Sequence, residues 1–203
     1  MTAKRCSLLH IAFDGPETGE PWLILHDRHG DLAAARQLCE AQLTPGTRRI
    51  SVRSARTQTR GSLVPPKGNF WFIGPLHQPE LSTLGDALYQ LDRLLDDVRD
   101  IDGYSRLSLL GDGEGGTVAL LLALLRPDMI GHVVAMNAFF PRNFARMPVQ
   151  IGDVTGLTVV LSRDDGVTAA ELTRIAPGLA VSVCESRQSS EARGGQGGVF
   201  VED

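Results

Sequence analysis

The chain has no apolar run long enough to cross a bilayer, no paired cysteines and no surplus of basic residues, and each lack removes a class of protein. Its longest apolar run, Val118 to Leu125, falls far short of the ~20 residues a membrane span needs, so no membrane association is expected. Cys6, Cys39 and Cys184 are odd in number and widely spaced, which suits neither a disulfide framework nor a zinc site. They read as small buried hydrophobes of a reducing cytoplasm, and neither a metal nor another cofactor is expected. Twenty-four acidic against 20 basic residues leave a formal net charge of −4, which offers phosphate backbones no electrostatic footprint, so nucleic acid is not an expected partner. Lys4 and Arg5 precede a short apolar stretch, but His10 interrupts it, Asp14 and Glu17 follow, and no small-residue cleavage site appears. No export signal is read, and the expectation is a soluble, cytoplasmic protein.

What is present is an ordinary globular composition, 42% hydrophobic and 22% charged over 203 residues, which fits a single domain over 1–203. Short β-rich runs alternate with helical patterns, the arrangement of a mostly parallel central sheet with helices on both faces, so the fold class is α/β. Strands are expected at Ser7–Phe13, Trp22–Leu25, Arg48–Arg53, Arg106–Leu110, His132–Met136, Leu157–Leu161 and Leu179–Val183. The spacing of Leu84, Ala87, Leu88, Leu91, Leu94, Leu95 and Val98 predicts an amphipathic helix of more than four turns with an acidic outer face. Asp31–Leu43, Thr117–Leu125 and Ala169–Ile175 are further helices, the second apolar on every side. Ser54 to Pro79 reads as a long loop, either a lid or binding segment or unrecognised structure. From Ser186 onward the chain is polar and Gly-rich, a flexible tail by composition.

A strand running into a buried helix through Gly111-Asp112-Gly113-Glu114-Gly115-Gly116 permits two chemistries. One is a phosphate-binding turn at the helix N-terminus; the Gly111, Gly113, Gly116 spacing satisfies the loose dinucleotide pattern, but Asp112 and Glu114 would repel an anion there. The other is a nucleophile elbow, in which small residues at the first and fifth positions allow a strained turn that exposes the middle residue. Here that middle residue is Gly113.

Taken with the rest of the chain, the second reading resembles the phospholipase/carboxylesterase (acyl-protein thioesterase-like) family of the α/β-hydrolase superfamily over most of residues 21–170. Leu25-His26-Asp27-Arg28-His29-Gly30-Asp31 resembles that family's first-strand turn, Gly68 to Phe72 its glycine and Trp-Phe segment, Leu110 to Ala119 with Arg126-Pro127 its elbow and helix, and Met136 to Pro141 the following strand and Phe-Pro turn. The resemblance implies an α/β-hydrolase fold. It also implies a backbone oxyanion frame from the Glu114 N–H and an N–H near Asp27 or Arg28, and an acid at Asp165 or its neighbour Asp164. The chain departs from the family where the chemistry lies: Gly113 stands at the serine position, and the last histidine, His132, precedes the place of the family's histidine. A triad works as a unit, so conventional ester hydrolysis is disfavoured. The family's last helix is also expected to be missing, and an apolar sheet face left open there implies a homodimer or a bound partner.

Several residues carry a plain and a sharp reading. Asp112 and Glu114 are either an acid/base pair with separated pKa values or carboxylates that stabilise the helix end and face water. An open pocket at the elbow would then have an acidic rim. His26 and His29 are either a base or a metal pair, or a hydrogen-bonded turn residue and a surface residue respectively. Trp71 and Phe72 either line a ligand channel or anchor the long loop to the core. Asp164 and Asp165 can be simple turn residues. Three functional classes follow: a binding or interaction protein with a small acyl or hydrophobic ligand, a lyase, isomerase or cyclase without a nucleophile, and a residual hydrolase.

Overall fold

A computed structural model of the protein describes residues 9–59, 65–162 and 167–184. Continuous apolar runs build its centre. In β2 (Pro21–Leu25) and β6 (Leu107–Asp112) nearly every residue is buried, as expected of parallel strands covered on both faces. They pair with each other, and β3 (Arg48–Arg53) flanks β2 in parallel. β1 (His10–Asp14) closes that edge as an antiparallel strand on β3. On the other side β7 (Ile130–Met136), β8 (Thr158–Ser162) and β9 (Ala180–Cys184) follow in parallel, so the order is β1-β3-β2-β6-β7-β8-β9. The chain leaves β2 for β3 on one side and returns to β6 on the other. The carboxyl ends of β2 and β6 therefore flank the topological switch point, where open α/β sheets form their crevices.

Alternation along the central strands divides the side chains between two layers. Leu23, Leu25 and Leu109 face a core shared with α2 (Leu81–Asp100) and α3 (Glu114–Leu125). Trp22, Ile24 and Leu110 face α1 (Leu32–Gln42), which contributes Ala35 and Cys39. Leu172 of α4 (Val167–Ile175) joins the α2–α3 layer. Asp31 caps α1, accepting from the N–H groups of Ala33 and Ala34 at 2.9 Å. α3 is buried from Glu114 to Leu124, and Arg126 just past its end ties it to Asp92 and Asp96 of α2.

Two expectations need correction. The long loop over 54–79 contains an antiparallel hairpin, β4 (Arg56–Gln58) with β5 (Gly68–Phe70); three-residue strands without apolar alternation leave no periodic trace in a sequence. Cys184 is exposed rather than buried, whereas Cys39 is in the core. Asp164, Asp165, Cys6, the tail from 186 and the expected absence of a last helix lie outside the described residues. Among the described residues no helix is long and apolar enough to cross a membrane.

Candidate functional site

The turn between β6 and α3 is held by glycines that the local packing requires. A Cβ at Gly111 would stand 2.4 Å from the Gly115 carbonyl oxygen, and one at Gly115 would stand 2.3 Å from that of Leu25. The helix N-terminus thus lies directly on the backbone of β2, and the first and fifth positions of the turn have no room for a side chain. Between them Gly113 adopts φ 51°, ψ −113°, a left-handed conformation that disfavours any residue with a Cβ. Its N–H donates to the Met136 carbonyl at 2.9 Å, and its carbonyl accepts from Thr117 N at 3.0 Å. The backbone is that of a nucleophile elbow with no side chain at its apex.

The apex is occupied by another segment of the chain. The three heavy atoms nearest to a Cβ built on Gly113 all belong to the Asp27 carboxyl, with Oδ1 at 1.9 Å. The same Oδ1 accepts the Glu114 N–H at 2.8 Å. The Asp27 carboxylate therefore engages the first free amide of α3, where a helix favours negative charge. The resemblance implies only a backbone N–H near Asp27 or Arg28 at this place; a turn aspartate gives no sign of which amide its carboxylate will meet across the fold.

Glu114 points inward. The expected acidic rim is corrected at this residue, because its side chain is 0% exposed and its carboxylate accepts from Trp71 N at 2.8 Å and from Nε and Nη2 of Arg28. Arg28 reaches on to the Gly74 carbonyl at 2.5 Å, joining two loops and the start of α3 through one guanidinium. Burial pushes the Glu114 carboxyl above its ordinary value, against the opposing pull of Trp71 N–H and Arg28.

His26 is equally enclosed, at 1% exposure. The Ser54 N–H can only donate, so His26 Nε2 accepts it at 3.1 Å and the ring proton lies on Nδ1, which donates to the Asp27 carbonyl at 2.6 Å. Burial lowers its pKa and keeps the ring neutral. Its ring stacks on Trp71 with centroids 5.2 Å apart, and Trp71 Nε1 donates to the His26 carbonyl at 2.8 Å. Trp71 and Phe72 are 1% and 0% exposed, as residues anchoring the loop to the core would be, and Trp71 also lines a hollow of about 260 Å³ beside Ser54 and Ala87. His26 is a turn residue with both ring nitrogens engaged, not a free base.

Asp112, half-buried at the end of β6, accepts from Asn137 Nδ2 at 2.6 Å. His132 contacts the edge of Trp22 and bonds Thr158 through Nδ1 at 2.6 Å. It lies back along β7 from Met136, the residue paired with Asp112, roughly 13 Å away at ~3.3 Å per residue and toward the other end of the sheet. Among the described residues no three His, Cys, Asp or Glu side chains are grouped to hold a metal. Beyond β7, a cleft of about 650 Å³ opens between the 139–151 segment and α4, and none of residues 112–116 lines it.

No family model matches the chain. Among curated proteins, 28% of the chain is similar to epoxide hydrolase 3 of Xenopus tropicalis, with 41% identity over 59 residues, or 16% of that protein. A further 36% identity over 70 residues, 31% of the chain, relates it to epoxide hydrolase 4 of Homo sapiens, of which 19% is covered. The chain thus spans under a fifth of these relatives' length. Solved structures match nearly throughout. A carboxylesterase of Bacillus cereus aligns with TM-score 0.68 and 16% identity over 90% of this chain and 87% of that one. A phospholipase/carboxylesterase of Dyadobacter fermentans aligns with TM-score 0.66 and 17% identity over 90% of both. At such identities the likeness is one of architecture: the chain has the α/β-hydrolase fold.

Proposed function

We propose that this chain is a non-hydrolytic protein of the α/β-hydrolase fold, a degenerate relative of the carboxylesterases that binds a ligand or a partner without cleaving an ester. One observation carries the reading. At the apex of the elbow stands Gly113, and the space a nucleophile side chain would use holds the Asp27 carboxylate, bonded to the Glu114 N–H at 2.8 Å. Acyl transfer needs a nucleophile and amides free to receive a developing oxyanion. Gly113 supplies no oxygen, and Asp27 has already taken the amide that opens α3. His26 and Glu114 are committed to internal hydrogen bonds, which removes two candidates for proton transfer in a lyase or isomerase reaction. The partial similarity to epoxide hydrolases covers too little of either chain to transfer their activity.

The test is a panel of short- and long-chain acyl esters and thioesters, run with a serine-reactive fluorophosphonate probe and a heat-killed control. Neither turnover nor labelling is expected. Turnover above the control that disappears in Asp112→Asn or Asp27→Asn would overturn the proposal and make that carboxylate a working group.

A further inference from the structure

The cleft between the 139–151 segment and α4 differs from the elbow in leaving its chemistry unoccupied. Resting on the reading of a non-hydrolytic binding protein, we propose that it binds an amphipathic monocarboxylate, an apolar body with one carboxylate head, received by Phe140, Phe144, Ile151 and Ile175 and by Arg142. The volume of about 650 Å³ falls within the ordinary range of small-molecule sites. Its walls are aromatic and aliphatic: Phe140 and Phe144 meet edge to face at 4.9 Å, and Phe139 is 38% exposed. An apolar surface of this kind, open to water, gains by covering itself with a ligand's apolar body.

The charged lining fixes the head group. Arg174 donates to Glu171 through Nε and Nη2 at 3.0 and 2.8 Å, so these two opposite charges answer each other. The buried Thr168 hydroxyl accepts from Phe140 N at 3.3 Å and is likewise engaged. Arg142 is exposed and lines the cleft, and its guanidinium has no ion-pair partner among the described residues. One uncommitted guanidinium beside an apolar wall matches a planar monoanion, which it can receive with two parallel hydrogen bonds. A dianionic phosphate would also meet the Glu171 carboxylate, and among the described residues the lining holds no second unpaired arginine or lysine to offset it.

Calorimetric titration of the intact chain with decanoate and with decanol tests this directly, because the two probes share an alkyl body and differ in the head. Decanoate should bind at least about tenfold more tightly, as expected of a charge-assisted bond. Arg142→Gln should bring decanoate to the level of decanol while leaving decanol unchanged, and Arg142→Lys should recover part of the difference. Ala145→Trp, an exposed lining position filled with a large ring, should abolish binding of both probes in a protein whose melting is unaltered. No binding, equal affinity for the two probes, or binding indifferent to Arg142→Gln and to Ala145→Trp would overturn the proposal. Turnover of 4-nitrophenyl decanoate fails in a different way: it would sink the non-hydrolytic reading while the titration still reported on the cleft.

Discussion

The elbow and the cleft follow neighbouring strands, β6 and β7, yet one is filled by the chain and the other is not. At the elbow every group that could do chemistry already has a protein partner: Asp27 on the Glu114 amide, Glu114 on Arg28 and Trp71, His26 on Ser54. In the cleft, apolar side chains and Arg142 line an open volume. The difference teaches that the strand-to-helix turn at the switch point and the place with room for a ligand need not coincide. Glu114 and His26 are buried there, so a lost partner would leave a desolvated polar group behind, and these contacts hold the loops to the start of α3.

If the elbow is a packed joint, small additions to it should cost heavily. Gly115→Ala should have the largest effect, about 3 kcal/mol or more in urea unfolding, since its Cβ would lie 2.3 Å and 2.6 Å from the Leu25 and His26 carbonyl oxygens and backbone cannot swing aside. Gly113→Ser should cost less, about 2 kcal/mol, because the obstacle is the movable Asp27 carboxyl and the remainder is left-handed strain. Asp27→Ala should relieve part of that cost, so the double variant should be more stable than the sum of the single changes. A neutral Gly113→Ser that also reacts with a fluorophosphonate would break the comparison, since the elbow would then be open after all.

Much of this arrangement was legible in the sequence, for identifiable reasons. Buried parallel strands announce themselves as unbroken apolar runs, and α2 announced itself through its leucine spacing; its expected limits fall within Leu81–Asp100. The elbow was legible because its glycines answer steric needs at fixed offsets. The plug was not. That Asp27 would sit over Gly113, and that Glu114 would turn into the protein toward Arg28, depends on contacts between residues 86 or 87 positions apart, and such contacts leave no local pattern. The hairpin β4–β5 was missed because its short polar strands lack alternation, and the Phe-Pro turn ending at Pro141 gave no sign of a cleft wall because nothing in a single sequence shows that α4 packs opposite.

The neutral state of His26 gives the joint a pH dependence with a defined sign. Its folded pKa lies below the ordinary 6.5, chiefly through burial, so the stability it contributes is present above that value and is lost as pH falls through the folded pKa. Protonated Nε2 would face the Ser54 N–H, donor against donor. Unfolding free energy should therefore decline on mild acidification, and His26→Gln should show a shallower decline, measured as melting against pH. Burial lowers the His132 pKa as well, in the same direction, but it is common to both proteins and cancels in the difference. Parallel slopes in the two proteins would mean that the Ser54–His26 contact does not set the joint's acid response.

The smallest effect is the one that sharpens the contrast. Ala145→Trp adds a far larger group than Gly115→Ala does, yet it adds it at an exposed position lining an open volume, where no close-packed neighbour must move. Its effect on unfolding free energy should stay within about 0.5 kcal/mol, several-fold below that of one methyl at the elbow. A tryptophan that instead destabilised the chain by as much as Gly115→Ala would show the 139–151 segment to be tightly packed in solution, and the cleft would then have no free volume to offer a ligand.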